Sequence, residues 1–229
     1  MKTVKRRVQL YAGTHPAVFS SLYRLKGEDR VVQATTQLVI EGYPRSANTF
    51  AVWAFRHAQH EDVRLAHHLH HPAQVIRAAQ WEIPTLVLIR EPKDAVISWV
   101  MRDPQPVDLA LKHYVLFYKT VAQYRDAYVL GSFEEVTEDY GGVIDRINNK
   151  FATRFSSFHH TEENVKKVFS RIEERHKARN NGMLSETRVA RPSAAKEETR
   201  LKVKPELEAP RQRRLLADAR TIYDYLITT

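Results

Sequence analysis

The chain has 229 residues, 43% of them hydrophobic and 28% charged, which is ordinary for a globular protein and enough for one domain, residues 1–229, with a substantial core. It contains no cysteine, which excludes disulfides and any Cys-based metal site or nucleophile, and no apolar run approaches the length that spans a bilayer, so a cytoplasmic location is expected. A formal net charge of +9 either points to an anionic partner (a nucleotide with several phosphates, a nucleic acid or an acidic polysaccharide) or only keeps the surface soluble.

Residues 1–33 open with Lys2, Lys5, Arg6 and Arg7, followed by no apolar signal-peptide core. A short amphipathic helix over 18–25, ended by Gly27, is expected to pack against the domain. The next stretch, LVIEGYPRSANTFAVWAF, reads as a buried strand over 36–41, a tight turn over 42–47, and a helix from about residue 49 to residue 60. Phe50, Trp53 and Ala54 share that helix's buried face. A strand that runs through a polar turn into a helix N-terminus makes an anion site. The first helical N–H groups have no partners within the helix, and the helix dipole adds positive charge there. The turn keeps the length of the phosphate loop G-x-x-x-x-G-K-[ST], but Ala47 replaces the second Gly and Asn48 replaces the Lys. That Lys reaches the β- and γ-phosphates of a nucleoside triphosphate. With the cation moved to Arg45, a different phosphorylated ligand is expected. The alternative is an ordinary turn whose Arg45 faces solvent.

A second short strand over 63–66 runs into HHLHH, residues 67–71, before Pro72. Zinc is not expected there. His67 and His68 would point to opposite sides of an extended chain, and no acidic or cysteine ligand lies nearby in sequence. A helix over 73–80 leads to a strand over 84–90 that ends in Arg90. The next helix, 93–102, follows Pro92 and carries Val96, Ile97 and Val100 on one face, with Ser98 two turns in. After the loop at 103–106, a long helix over 109–124 places Tyr114 and Tyr118 in the core rather than in a ligand pocket. A fourth strand covers 127–133 and a helix 141–151. A polar helix covers 161–177 with Thr161 as its N-cap. Residues 180–205 are basic and poor in large apolar side chains, and read as a surface loop. A helix over 207–226 turns Leu215, Ala219, Ile222 and Leu226 inward.

Two of these stretches together resemble one family. GYPRSANTF resembles the 5′-phosphosulfate loop of the PAPS-dependent sulfotransferases, usually YPKSGTTW. IREPKDAVIS resembles their 3′-phosphate motif, usually RNPKDVAVS. The order is right, and the resemblance covers residues 36–151. It implies that Arg45, Ser46, Ala47, Asn48 and Thr49 hold the 5′-phosphosulfate, that Arg90 and Ser98 hold the 3′-phosphate, and that Phe50 stacks on adenine where the family has Trp. It also implies that a histidine at the end of the second strand is the general base. The family's K-T-H-L-P places His68 there, with His67, His70 and His71 as other registers and Ala66 in place of the Lys. An imidazole suits that work, because its pKa lies near neutral pH. The family's late R-K-G loop, which closes over the 3′-phosphate, is absent. Arg188, Arg191, Ser193 and Lys196 are substitutes, with Arg191 and Ser193 preferred. Membrane-anchored members exist in this family, and no anchor is expected here.

The expected fold is therefore α/β, with a parallel sheet of four to five strands flanked by helices, like the P-loop-containing sulfotransferases. The expected reaction is sulfuryl transfer from PAPS, the co-substrate, to a hydroxyl or amine, with no metal. The acceptor is a small molecule, carbohydrate, lipid or peptide rather than nucleic acid. Two alternatives stand beside it: a non-catalytic module of the same fold that binds PAP, and a phosphoryl-transfer P-loop enzyme. The missing loop Lys and the lack of a Walker-B Asp speak against the second. A basic nucleic-acid binder would rest on charge alone.

Overall fold

The computed structural model describes residues 13–25, 29–179, 182–183 and 194–229. It begins with helix α1 (Pro16–Leu25), whose buried Phe19 packs on Leu69 and Ala73. Strand β1 (Leu38–Gly42) leads through residues 43–47 into α2 (Asn48–Ala58). Next come β2 (Leu65–His67), α3 (Pro72–Gln80), β3 (Thr85–Ile89), α4 (Pro92–Arg102) and α5 (Val107–Ala122). They are followed by β4 (Val129–Ser132), α6 (Phe133–Glu138), α7 (Tyr140–Phe151) and α8 (Glu162–Arg179). The chain closes with α9 (Ala194–Glu208) and α10 (Arg213–Thr228).

The four strands form one parallel sheet in the order β2-β1-β3-β4. Strands β1 and β3 lie at its centre and are buried at every position, which is why both read as near-continuous apolar runs. Side chains alternate across the sheet. Leu38, Ile40, Leu86 and Leu88 face one layer, with Phe55 of α2, Ile144 and Ile147 of α7, and Val168 of α8. Val87 and Ile89 face the other, with Val96 of α4, Leu111 and Phe117 of α5, and Leu207, Ala219 and Leu226 of α9 and α10. Strands β1 and β3 approach so closely that a Cβ on Gly42 would lie 2.4 Å from the Leu88 carbonyl oxygen. Only glycine fits at the point where β1 gives way to the loop. Among the described residues, no helix is long and apolar enough to cross a membrane.

Three expectations change. Residues 194–205, read as the end of a basic loop, belong to α9, whose Val203 and Leu207 pack into the core. Its run of Ala, Lys, Glu, Arg and Leu carries high helix propensity, which the lack of large apolar side chains concealed. The closing helix begins at Arg213 rather than at 207. Pro210 supplies no N–H and disfavours helical geometry at Ala209, whose ψ is 147°, so a short 3₁₀ turn, Pro210–Gln212, separates two helices. Residues 133–138 form a helix of their own, started by a capping box between Ser132 and Glu135.

Candidate functional site

The first connection leaves β1 toward β2 on one side, and the chain later returns to β3 on the other. The carboxyl ends of β1 and β3 therefore flank a topological switch point, where open α/β sheets gather ligands. The loop after β1 sits there. Arg45 and Ala47 both take positive φ, 72° and 64°, and no side chain caps α2. Ala47 thus occupies, at a cost of ~1–2 kcal/mol, the left-handed conformation for which glycine is the usual choice. The Asn48 side chain ties the loop to itself, its Nδ2 donating to the Tyr43 carbonyl at 2.9 Å, while its buried Oδ1 has no hydrogen-bond partner.

Two tyrosines of α5 hold the surroundings from below. Tyr118 donates to the Leu88 carbonyl at 2.8 Å and lies 3.4 Å from the Tyr43 N–H and from Ser46 Oγ. Tyr114 donates to the Arg90 carbonyl at 2.7 Å. Both are fully buried, as expected, but each also fixes one of the two loops.

The residues of the two motifs meet here. Arg45 Nε donates to Ser98 Oγ at 3.0 Å, and Arg90 Nη1 donates to the Arg45 carbonyl at 3.2 Å. The Arg90 guanidinium lies 3.9 Å from the centre of the Phe133 ring, a cation–π contact that aims it. Burial lowers the Arg45 pKa to about 10, with Arg102 and Arg90 adding repulsion, and burial lowers that of Arg90 as well. Arg45 and Arg90 thus crowd one edge of the sheet with part of their hydration lost. An anion placed among them relieves both their repulsion and their lost hydration.

The histidine run closes the site from the β2 side. His68 and His70 take positive φ, 60° and 56°, so the chain is not extended there. The rings of His67 and His68, expected on opposite sides, instead meet, Nδ1 to Nδ1, at 2.8 Å. His68 Nε2 lies 3.1 Å from Thr49 Oγ1, and His70 Nδ1–H donates to the Gly42 carbonyl at 2.7 Å. Burial, then the neighbouring His70, His67, Arg30 and Arg102, hold the His68 pKa well below its ordinary value. His68 is therefore neutral at pH 7 and able to accept a proton. His71 pairs instead with Tyr23, its Nε2 3.2 Å from the Tyr23 hydroxyl. Among the described residues, no group of three or more His, Asp or Glu could hold a metal ion.

Phe50 stands apart from this edge. Phe50 is buried in an aromatic cluster with Phe158, His160 and Phe169, at centroid separations of 6.1, 5.8 and 5.5 Å. Arg188, Arg191 and Ser193 lie outside the described residues. Sequence reasoning missed Glu41. This fully buried carboxylate of β1 accepts the N–H groups of Leu69 at 2.8 Å and His70 at 2.9 Å. Its signal was present: an ionisable residue inside an apolar strand.

No protein-family model matches the chain, and no curated protein matches it significantly. Among solved structures, the chain is similar to mouse sulfotransferase SULT7A1 complexed with PAP, at 12% identity and a TM-score of 0.44, over 82% of this chain and 91% of that one. An overlap so loose decides nothing about the site, whose chemistry follows from its own residues.

Proposed function

We propose that the chain transfers a sulfuryl group from PAPS to a hydroxyl or amine of an acceptor, releasing PAP. The observation that carries this reading is the convergence at one sheet edge of Arg45, Ser98 and Arg90 with the neutral His68 against Thr49. Two clusters of anionic charge, one at each end of a nucleotide, match a site with two separately supported arginines and an uncapped helix N-terminus.

In this reading the backbone N–H groups at the start of α2, with Ser46, Asn48 and Thr49, hold the 5′-phosphosulfate, and Arg90 with Ser98 holds the 3′-phosphate. His68 Nε2 takes the acceptor's proton as its oxygen or nitrogen bonds to sulfur. The sulfur–oxygen bond to the 5′-phosphate breaks, and its electron pair leaves on the phosphate oxygen of PAP. Arg45 neutralises that developing charge, an interaction worth on the order of 3 kcal/mol for each donor. Phe50 is one face of the adenine pocket only if its ring leaves part of the aromatic cluster. Arg191 and Ser193 are the late-loop residues that would complete the 3′-phosphate site.

Calorimetric titration with PAP, with AMP and ATP as controls, tests the proposal. The expected result is micromolar binding of PAP, much weaker AMP, and PAP binding weakened about 10- to 100-fold in Arg90→Ala. Tight magnesium–ATP binding with none for PAP would replace it with the phosphoryl-transfer reading. PAP binding without turnover of labelled PAPS across acceptor classes would leave the binding module.

A further inference from the structure

The segment that carries the histidines is built against its own preference. Two non-glycine residues two positions apart, His68 and His70, lie in the left-handed region, where each costs ~1–2 kcal/mol. Something outside the segment has to hold it there. The Glu41 carboxylate is within reach of both following amides: Oε1 accepts the Leu69 N–H at 2.8 Å and Oε2 the His70 N–H at 2.9 Å. The side chain of His70 adds a third tie, to the Gly42 carbonyl at 2.7 Å. All three ties run to the last two residues of β1, the strand from which the anion loop departs. Strand β1 is itself paired on both sides, with Glu41 opposite Val87 of β3.

We propose that Glu41 is the positioning residue that fixes the histidine turn to the anion loop, so that His68 Nε2 faces Thr49 in one orientation and one tautomer. The assignment of His68 as the base rests on the sulfuryl-transfer reading; the mechanical link between Glu41 and His68 does not. Geometry supplies the rest. Ionised, above pH 7, the carboxylate is acceptor-only and can bind two N–H groups at once, each as a charge-assisted bond. An amide in its place presents an NH₂ to one of those donors. The turn would then lose one tie, and the ring of His68 its fixed distance to Thr49. With the Nδ1 atoms of His67 and His68 in contact at 2.8 Å, one must donate and the other accept. A base-competent His68 donates from Nδ1 and keeps Nε2 free of hydrogen. This arrangement survives only while the turn holds both rings together. A displacement of about 1 Å at such a group costs on the order of 100-fold in rate.

The test is long-range ¹H–¹⁵N spectroscopy of the full chain with labelled histidine, comparing the parent protein with Glu41→Gln and Glu41→Ala. His68 is expected as a single tautomer with hydrogen on Nδ1 in the parent. In both variants its resonances move toward the mixed tautomers of a free imidazole, while His57 and His160, which lie against Phe158, stay unchanged. PAP affinity, read by calorimetry, changes by less than about threefold; once an acceptor is known, kcat falls on the order of 100-fold with KM for PAPS unchanged. An unmoved His68 in Glu41→Gln overturns the proposal. Should neither variant fold, hydrogen exchange in the parent decides: slow exchange at the Leu69 and His70 amides supports the tie, and fast exchange at both overturns it. Failure of PAP to bind would remove the sulfuryl-transfer reading and leave the Glu41 result standing.

Discussion

Glu41 also predicts how stability depends on pH. Burial pushes its pKa from 4.5 up to about 7, against four stabilising hydrogen bonds that pull the other way. The ionisable groups that face the turn include His70, whose Nδ1 lies 4.0 Å from Oε2, and Arg30 and Arg102, which repel the protonated form of His70. His70 is itself held at about 4 by burial, so carboxylate and ring are not both charged at any pH, and their contact is not an ion pair. The sign follows from the direction of the shift. The folded state holds the Glu41 proton more tightly than the unfolded state does, so its contribution is fully present below pH 4.5 and is lost as pH rises toward 7. A shift from 4.5 to about 7 implies roughly 2–3 kcal/mol lost between pH 5 and pH 8. Urea unfolding of the parent and of Glu41→Gln at both values isolates this term. His70 and His71, neutral in the fold, act with the opposite sign only as pH falls below 6.5, and His71, bonded to Tyr23 rather than to Glu41, is the same in both proteins. The stability of the parent should fall from pH 5 to pH 8 by that amount more than the stability of the variant. Identical pH dependence in the two proteins would refute the buried, proton-binding state of Glu41.

Arg90→Ala should weaken PAP binding by about 10- to 100-fold in calorimetry while leaving AMP nearly unchanged, since a hydrogen bond to a charged group is worth about 1.5–3 kcal/mol. Arg45→Ala should lower turnover of labelled PAPS far more than it lowers PAP affinity; an equal loss in both would move Arg45 from the chemistry to the binding. Gly42→Ala should destabilise the fold by about 3 kcal/mol, read as a lower urea midpoint, because its Cβ would lie 2.4 Å from the Leu88 oxygen. Ala47→Gly should do the reverse, raising stability by about 1 kcal/mol, read as a higher urea midpoint, through relief of the left-handed φ of 64°.

What was legible in the sequence, and what was not, divides along physical lines. The sheet could be read because buried parallel strands are locally apolar, and the turn between β1 and α2 because a strand-turn-helix junction has fixed length. That the two motifs serve one ligand was read from the sequence, but the contact of Arg45 with Ser98 and the ties of Tyr114 and Tyr118 were not. A tyrosine in a helical apolar stripe looks the same whether its hydroxyl meets water or a carbonyl 30 residues away. The histidine run shows the deeper difficulty. Periodicity assumes an extended chain, and that assumption sent His67 and His68 apart. The backbone instead turns left-handed twice, and the residue responsible, Glu41, lies 27 positions before His68 on another strand. Local sequence could not reveal that turn, because the segment does not stabilise it locally. A strained conformation held by a remote buried carboxylate is one that folding must impose, and the region where local reading fails is the one that carries the candidate base.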